Sequence, residues 1–332
     1  MSLYKLLNNY YPKIIYTWNP FKELNLLSNL NEIKYENYFN NLLKQDESKT
    51  LDKLGDRMKK YEAQNEHKIN PFEYYIVRLD GKCFSSFTKK FQKPFDDNFV
   101  KAMAMTTKDL IEYFGAQTGY THSDEITLIF NSKCSKEIYD NRSELIIEHN
   151  YNGRIEKILS LISSYCSVRF NFHINNIITE NENIHEYNED LIILIKKFQQ
   201  IFDARILIFN EDNKHEILNH QIWRVRDCTR NCILTYGHTY LGKKNIMNKK
   251  TNEIIIMLKD KEILIEDVPF YLKYGLYCKK NKIEKIINGN KCLRTEFIFT
   301  QFEINYSDDN LNILLDKYWN KDFLDKTLIY NS

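Results

Sequence analysis

The order of apolar and polar positions in the first two-thirds of the chain predicts alternating strands and amphipathic helices. One β-rich apolar run is Tyr74-Tyr75-Ile76-Val77, and a second runs from Ile126 to Phe130. Between these two predicted strands, apolar residues recur at three- and four-residue steps and predict a helix with one buried face: Phe99, Met103, Leu110 and Phe114, with Thr106. Asp96 or Asp97 can cap this helix, and Gly115 can end it.

The same periodicities continue further along the chain. Residues Arg154 to Phe170 predict a second helix that covers the same sheet, and Ala204 to Phe209 predict a further strand. From residue 243 onward, Lys-rich turns alternate with short apolar runs such as Ile254-Ile255-Ile256 and Phe297-Ile298-Phe299. Strand, helix, strand, acidic turn and strand is the order of a palm-like unit, so the pattern predicts an α+β fold.

Composition limits what such a protein can be. The 332 residues are 43% hydrophobic and 14% aromatic, which is typical of a folded globular chain. A net charge of only +2 excludes strong attraction of the whole molecule to nucleic acid, so RNA would have to bind at local basic patches. Lysine pairs at 243–244 and 249–250, and lysines 279, 280, 282 and 285 with tyrosines 271, 274 and 277, are candidates.

The cysteines and the apolar runs exclude other classes. Seven cysteines without framework spacing indicate free thiols in a reducing compartment. Cys228, Cys232 and His238 could begin a zinc site, but no second CxxC-type pair completes four ligands. No apolar stretch approaches the length of a membrane span, so no contact with a membrane is expected.

Two short acidic motifs carry the candidate chemistry. Asp80-Gly81 follows the first predicted strand, and Ser123-Asp124-Glu125 precedes the strand that begins at Ile126. Two carboxylates at neighbouring strand ends can hold a pair of divalent ions and so support phosphoryl transfer. No GxxxxGK[ST] motif occurs, which excludes a P-loop. The alternative is that Asp80 and Asp124 are ordinary turn residues.

A series of motifs in fixed order then gives a family resemblance. The series is Leu54 to Glu62, Arg78 to Phe84, Phe87 to Phe91, Lys93 to Asp96, Gly119 to Glu125, Tyr151 to Arg154, Phe202 to Arg205 and Trp223-Arg224. It resembles the tRNA(His) guanylyltransferase family and its wider set of tRNA guanylyltransferase-like 3′-to-5′ RNA polymerases. The resemblance runs from about residue 51 to about residue 242, and residues 174–200 look like an insertion. It implies an antiparallel sheet with packed helices, akin to polymerase palms and nucleotide cyclases.

The resemblance also implies a site. Two Mg²⁺ ions would be held by Asp80, Gly81 and Asp124, with Asp80 and Asp124 catalytic. The nucleotide would contact residues that match the family's motifs: Asp80, Gly81, Lys82, Cys83, Phe84, Ser85, Lys93, Ser123 and Asp124. Family members usually carry Arg at the place of Lys82 and often His at the place of Ser85, so those contacts are altered here. Residues that could support the site are Glu125, Arg154, Lys157 and Asn231.

The tRNA specificity departs from the family pattern. Enzymes that add G at position −1 of tRNA(His) carry a His-Ile-Asn-Asn tetrad after Trp-Arg-x-x-Asp-Cys, and here Thr229 and Cys232 replace its His and its second Asn. A His173-Ile174-Asn175-Asn176 occurs about fifty residues earlier, which we interpret as chance. The departure favours the guanylyltransferase-like branch, which repairs truncated 5′ ends of various tRNAs. The alternatives are addition of G to tRNA(His), an inactive RNA-binding relative and a nucleotide cyclase.

Further expectations concern organisation and partners. The sequence predicts an N-terminal extension at 1–50, a palm-like catalytic domain at 51–175 and a tRNA-contacting C-terminal α/β region at 176–332. The resemblance implies tRNA, GTP, ATP and other nucleoside triphosphates as partners, and a homotetramer. The first 22 residues lack acidic residues but also lack Arg, which leaves a mitochondrial and a cytoplasmic location equally open.

Overall fold

The computed structural model describes residues 50–142, 145–179, 187–287, 290–325 and 327–330. The chain divides into two compact units, Met1–Glu66 and His67–Ser332. In the first unit the structure describes helix α1, Thr50–Ala63. The predicted extension at 1–50, for which a targeting role is one of two open interpretations, lies outside the described residues except for Thr50. Among the described helices, none is long and apolar enough to cross a bilayer.

A seven-stranded antiparallel sheet forms the frame of the second unit. The strand order is β4-β1-β3-β2-β5-β6-β7. In chain order the strands are β1 Tyr74–Gly81, β2 Thr118–His122, β3 Glu125–Phe130, β4 Phe202–Phe209, β5 Leu276–Ile287, β6 Asn290–Gln301 and β7 Leu328–Tyr330. The sequence therefore predicted strands β1, β3 and β4 correctly.

Helices cover both faces of this sheet. In chain order they are α2 Phe84–Thr88, α3 Asp97–Phe114, α4 Lys136–Asn141, α5 Ile155–Thr179, α6 Glu189–Lys196, α7 Glu216–Tyr240, α8 Lys243–Ile246, α9 Thr251–Lys259, α10 Phe270–Tyr274, α11 Asp308–Leu315 and α12 Lys321–Leu324. Short 3₁₀ turns lie at Asn150–Gly153, Glu211–Asn213 and Ile265–Asp267.

Helix α3 begins and ends where the sequence predicts. The carboxylate of Asp96 accepts a hydrogen bond from the Phe99 N–H at 3.0 Å, and Gly115 ends the helix with φ 73°. Its periodic apolar side chains are buried against the sheet. Helix α5 continues nine residues beyond the predicted end at Phe170, because Ile174, Ile177 and Ile178 extend its buried face.

Two hydrophobic clusters lie on opposite faces of the sheet. One contains Tyr75, Val77 and Leu79 of β1 and is covered by α3 and α5. The other contains Tyr74 and Ile76 and is covered by α7 and α11. This alternation follows from the two-residue period of a strand buried on both faces. The predicted antiparallel α+β fold is confirmed.

The second half of the chain shows details that the sequence pattern left open. The apolar run at Ile254 lies in helix α9, and a short apolar run fits a helix and a strand equally well. The predicted insertion at 174–200 includes the end of α5 and the whole of α6. Strands β4 to β7 join β1 to β3 in one sheet, so residues on either side of the predicted boundary at 175/176 share a single frame.

Candidate active site

Three carboxylates form a row across one end of the sheet. In the strand register, Asp80 on β1 lies opposite Glu125 on β3 and opposite Asp203 on β4. Directly opposed residues on antiparallel strands project from the same face, so the three side chains share the face covered by α7. Asp203 was missed at the sequence level as a site residue, although it belongs to the Phe202 to Arg205 motif, because only the register brings it to Asp80.

A fourth carboxylate enters from the turn between β2 and β3. The two residues of this turn are Ser123, with φ 49°, and Asp124. The Ser123 hydroxyl donates to Asp124 Oδ1 at 2.9 Å, and the Gly81 N–H donates to the Asp124 carbonyl at 3.1 Å. This backbone bond fixes the end of β1 against the turn, so the structure brings the predicted pair Asp80 and Asp124 together.

The electrostatics of this pair favour a cation. Burial raises the pKa of Asp80, and the neighbouring charges of Glu125 and Asp203 raise it further. Burial also raises the pKa of Asp124, and the Asp80 charge adds to that rise although the hydrogen bond from Ser123 opposes it. Clustered carboxylates that destabilise each other's charge are stabilised by a shared divalent ion, and hard oxygen ligands suit Mg²⁺. The donor set therefore fits the implied metal.

The segment after Asp80 divides between core and surface. Phe84 is only 2% exposed and packs among Phe87, Phe99, Phe170 and Phe202, so its side chain belongs to the core. Lys82, Cys83 and Ser85 are exposed. The Lys82 N–H already donates to the Ile201 carbonyl at 2.9 Å, which removes it from the N–H groups expected to cradle phosphate.

Glycine is required at position 81 by packing. A Cβ placed there would lie 2.4 Å from the Phe84 ring, and that ring is enclosed by other aromatic side chains. The close approach lets the chain turn from β1 directly into Cys83, which has φ 60° and precedes helix α2.

Lys93 and Ser123 line one cavity of about 140 Å³. The cavity is bounded by the loop before α3 and by residues of α3, β2, α7 and α10. The Lys93 ammonium donates to the Thr88 carbonyl at 2.8 Å, and burial lowers its pKa although the Asp96 charge opposes this. A cavity that is lined by both an ammonium and a hydroxyl suits a polyphosphate.

A buried ionic cluster lies behind the acidic row. Arg224 of α7 is 2% exposed and approaches Glu125 Oε2 at 2.9 Å and Asp227 Oδ2 at 2.7 Å. His122 Nε2 lies 3.4 Å from the same Glu125 oxygen. Burial alone would raise the pKa of Glu125, but contact with His122 and the Arg224 charge lower it. Glu125 is thus a partner of Arg224 rather than a residue in solvent.

This cluster does not suit a metal. His122, Glu125 and Asp227 offer ligand atoms within 4.8 Å of one another, which is the spacing of a metal site. The guanidinium of Arg224, however, already forms ion pairs with both carboxylates, so a cation is in place without any ion. We therefore assign these residues to holding α7 against the turn that carries Asp124.

The remaining predicted residues lie elsewhere. Asn231 donates to Asp227 Oδ2 at 3.0 Å and so joins the ionic cluster. Arg154 and Lys157 lie at the start of α5. It is Ser167, further along the same helix, that contacts Phe202, and Phe202 is the register partner of Gly81. At 1.5 Å per residue, Ser167 lies about 20 Å along the helix from Arg154 and about 15 Å from Lys157. The structure therefore does not bring Arg154 and Lys157 to Asp80 within this chain.

The His-Ile-Asn-Asn segment on α5 has a structural role. His173 is buried, and its Nε2 lies 2.6 Å from Asp109 Oδ2 on α3. Arg169 Nε contacts the same oxygen at 2.5 Å, and Ile174 is in the core. These contacts join α3 to α5 and leave no base-reading edge on His173.

The prediction that Tyr277 and Lys279 bind RNA was also wrong. Tyr277 and Lys279 are fully buried, and the Lys279 ammonium contacts the Ile313 carbonyl and lies 5.1 Å from the centre of the Trp319 ring. The lysine-rich pattern predicts a surface strand, but pairing with β2 and β6 places the start of β5 inside the sheet, where Leu276 to Lys279 are all buried.

Comparison with known proteins gives the same family by independent routes. The family model described as Thg1, tRNAHis guanylyltransferase, matches residues 55–210. The uncharacterized protein R259 of Acanthamoeba polyphaga mimivirus is 43% identical over 271 residues, which cover 81% of this chain and 91% of that protein. The tRNA(His) guanylyltransferase of Debaryomyces hansenii is 29% identical over 256 residues, 76% of this chain and 74% of that enzyme.

Among solved structures, the fold is similar to a bacterial tRNA(His) guanylyltransferase-like protein in complex with ATP. The TM-score is 0.55 at 24% identity, covering 73% of this chain and 91% of that chain. For a bacterial tRNA(His) guanylyltransferase-like protein in complex with GTP the TM-score is 0.51, and the match covers 74% of this chain and 90% of that chain. With its ordered motifs, its antiparallel sheet and these relatives, the chain belongs to the tRNA(His) guanylyltransferase family of nucleotidyltransferases.

Proposed function

We propose that this protein adds nucleotides in the 3′-to-5′ direction to the 5′ end of tRNA, copying the opposite strand and using two Mg²⁺ ions. The observation that carries the proposal is the pair Asp80 and Asp124, which interact electrostatically at two joined strand ends. The bacterial relatives with the same fold bind ATP and GTP, which supports nucleoside triphosphates as substrates. We expect a homotetramer, as in the family.

The reaction needs two displacements at phosphorus. A 5′-monophosphate on the RNA attacks the α-phosphorus of ATP and releases pyrophosphate, and the 3′-hydroxyl of the incoming nucleotide then attacks the activated 5′ phosphorus and releases AMP. An RNA that carries a 5′-triphosphate needs only the second step and releases pyrophosphate. Magnesium, when bound, lowers the pKa of the attacking hydroxyl and stabilises charge on the transferred group.

The chain's own residues orient these groups. Asp80, Asp124 and a backbone oxygen at Gly81 would hold the metal ions. Lys93 and Ser123 line the cavity beside the Asp124 turn, where an ammonium and a hydroxyl can bind the triphosphate. The exposed Lys82 and Ser85 lie one short turn beyond Asp80 and can contact the same phosphates.

The residues at the tetrad position support action on tRNAs other than tRNA(His). The Thr229 hydroxyl lies 3.0 Å from the carbonyls of Val225 and Lys273, which commits it within the protein. Cys232 is 1% exposed, and the Asn231 amide donates to Asp227. Hydrogen-bonding edges that are already used or buried cannot read anticodon bases, so recognition of tRNA(His) by this segment is disfavoured.

The test compares two substrates with the purified protein. Extension of a 5′-truncated tRNA of another identity supports the proposal, whereas addition of G to tRNA(His) alone overturns it in favour of the alternative. Asp80→Asn and Asp124→Asn should each lower the rate roughly 100-fold or more, because even residues that only orient metal ligands cost 10–100-fold. Asp140→Asn, an exposed carboxylate on α4, serves as the matched control and should retain the rate.

A further inference from the structure

One aromatic side chain beside the carboxylate row is exposed although the residue that follows it is buried. Trp223 of α7 is 50% exposed, while Arg224, the next residue, is 2% exposed. A tryptophan that serves only the core would bury most of its large apolar surface. The position therefore calls for a ligand that covers the ring.

Three side chains of the protein pack against the ring. The guanidinium carbon of Arg224 lies 4.3 Å from the ring centre and that of Arg78 lies 5.4 Å from it. The His220 ring contacts it edge to face at 5.6 Å. Arg224 is itself fixed by Glu125 and Asp227, so the indole is held by a rigid ionic cluster. A preorganised ring binds a flat partner without a large cost in side-chain entropy.

The ring also lies close to the reacting groups. Arg78 precedes Asp80 by two residues on β1, so both side chains project from the face that α7 covers. Two residues of a strand span about 7 Å, which is about the spacing of successive nucleotides in an extended strand. A nucleotide whose phosphate is held at Asp80 and Asp124 therefore has its base, or that of its neighbour, within reach of Trp223.

The charges around the ring suit a nucleic acid. On β4, Arg205 lies opposite Arg78, so a basic row follows the carboxylate row on the same face. On α7 the exposed side chains of Arg226 and Arg230 follow Trp223 at three- and seven-residue steps and share its side of the helix. An aromatic ring followed by a line of guanidinium groups is the arrangement used to bind single-stranded nucleic acid.

We propose that Trp223 stacks on an unpaired nucleobase of the RNA at the 5′ end that is being extended, or on its template partner. The inference rests on the proposed function, and it adds a base-binding position to the site. Because every base presents a π-face, stacking here would not depend on sequence, which fits an enzyme that copies different templates.

The test measures the affinity for RNA and needs no turnover. The probe is a 5′-triphosphorylated tRNA that lacks its first nucleotide, with a second version that is abasic at the new 5′ end and a third that is abasic at the opposite template position. Loss of one stacked base should weaken binding about 5- to 150-fold. We expect Trp223→Leu to weaken binding of the intact probe to this extent and Trp223→Phe to weaken it much less, because phenylalanine retains a π-face.

A cycle of protein and RNA changes separates stacking from a structural role. One of the two abasic probes should bind to the wild-type protein as weakly as the intact probe binds to Trp223→Leu. The Trp223→Leu variant should bind that abasic probe with the same affinity as it binds the intact probe. If the loss of affinity from the protein change and the loss from the RNA change simply add, the proposal is overturned. Tyr240→Leu is the matched control, because Tyr240 is 48% exposed at the far end of the same helix and should leave binding unchanged.

The remaining outcomes are also decisive. If Trp223→Leu binds the intact probe as well as the wild type does, the proposal fails. If the variant changes only the oligomeric state, the ring contacts another copy of the chain and the proposal also fails. If the abasic cycle holds while no tRNA is extended, the proposed function fails and the stacking position stands. Thermal unfolding of each variant identifies one that does not fold. If Trp223→Leu does not fold, binding of the three probes to the wild-type protein carries the test, and equal affinity for all three overturns the proposal.

Discussion

Replacement of Arg224 by methionine tests the claim that the buried ionic cluster holds the acidic turn. Methionine fills much of the volume of arginine but removes the charge that lies 2.9 Å from Glu125 and 2.7 Å from Asp227. Asp227 keeps Arg230 and Asn231, whereas Glu125 keeps the His122 ring at 3.4 Å and the more distant charge of Arg78. The free energy of unfolding should therefore fall by about 3 kcal/mol, at the low end for removal of one partner of a buried pair.

This loss is large enough to measure by two methods. Urea denaturation at pH 7 should give the change in free energy, and thermal unfolding should show a decrease in Tm of about 6–12 °C for a unit of this size. Arg226→Met is the matched control on the same helix, since Arg226 is exposed and its replacement should change stability by less than about 0.5 kcal/mol.

The pH dependence gives a second measurement. Contact with His122 and Arg224 holds the pKa of Glu125 below its ordinary value. Glu125 therefore stabilises the fold fully when the pH is above the ordinary pKa, and this stabilisation is lost as the pH falls through the lowered pKa. The difference between wild type and Arg224→Met should therefore narrow below pH 4.5, the ordinary value. A variant within about 1 kcal/mol of the wild type at pH 7 would refute a role for Arg224 in holding this turn.

Three further variants test separate parts of the structure. Gly81→Ala should destabilise the fold by about 3 kcal/mol or more in urea denaturation, because the new methyl group meets an enclosed Phe84 ring; Gly55→Ala, which meets no atom within 4 Å, should not. Asp124→Asn should lower the rate of extension roughly 100-fold or more, yet raise Tm slightly at pH 7. A carboxylate whose pKa is raised by burial destabilises the fold once it is ionised, so an unchanged or lower Tm would contradict this sign. His173→Ala should lower stability by about 2 kcal/mol, because it removes a buried partner of Asp109, without altering which tRNAs are extended; a changed substrate preference at full stability would show that this segment reads RNA.

The sequence predicts what depends on local periodicity and on short motifs. Helix α3 and strands β1, β3 and β4 follow from repeating apolar positions and capping residues that act within a few residues of each other. Asp80 and Asp124 could be paired in advance because both lie at predicted strand ends. The roles of Asp203 and Arg224 depend on contacts between segments about a hundred residues apart, and no local pattern encodes that register.

The sequence also could not show which charged residues are buried. Lys279 lies in a lysine-rich strand that reads as surface, and only the order of strands in the sheet places it inside. Arg154 and Lys157 were grouped with the site by charge, yet the length of α5 separates them from it. Which end of a long helix faces a strand end is a tertiary property, so composition alone could not decide it.

The position of β4 at the outer edge of the sheet has a consequence for biosynthesis. Strand β1 pairs with β4 along its whole length, but about 120 residues separate them in the chain. At 5–20 residues per second, the ribosome needs roughly 6–25 s to deliver the second strand after the first. During that interval the nascent polypeptide presents an apolar strand with an open edge, which is a substrate for chaperones and a seed for aggregation. A message cut short before codon 202 would leave it in that state permanently.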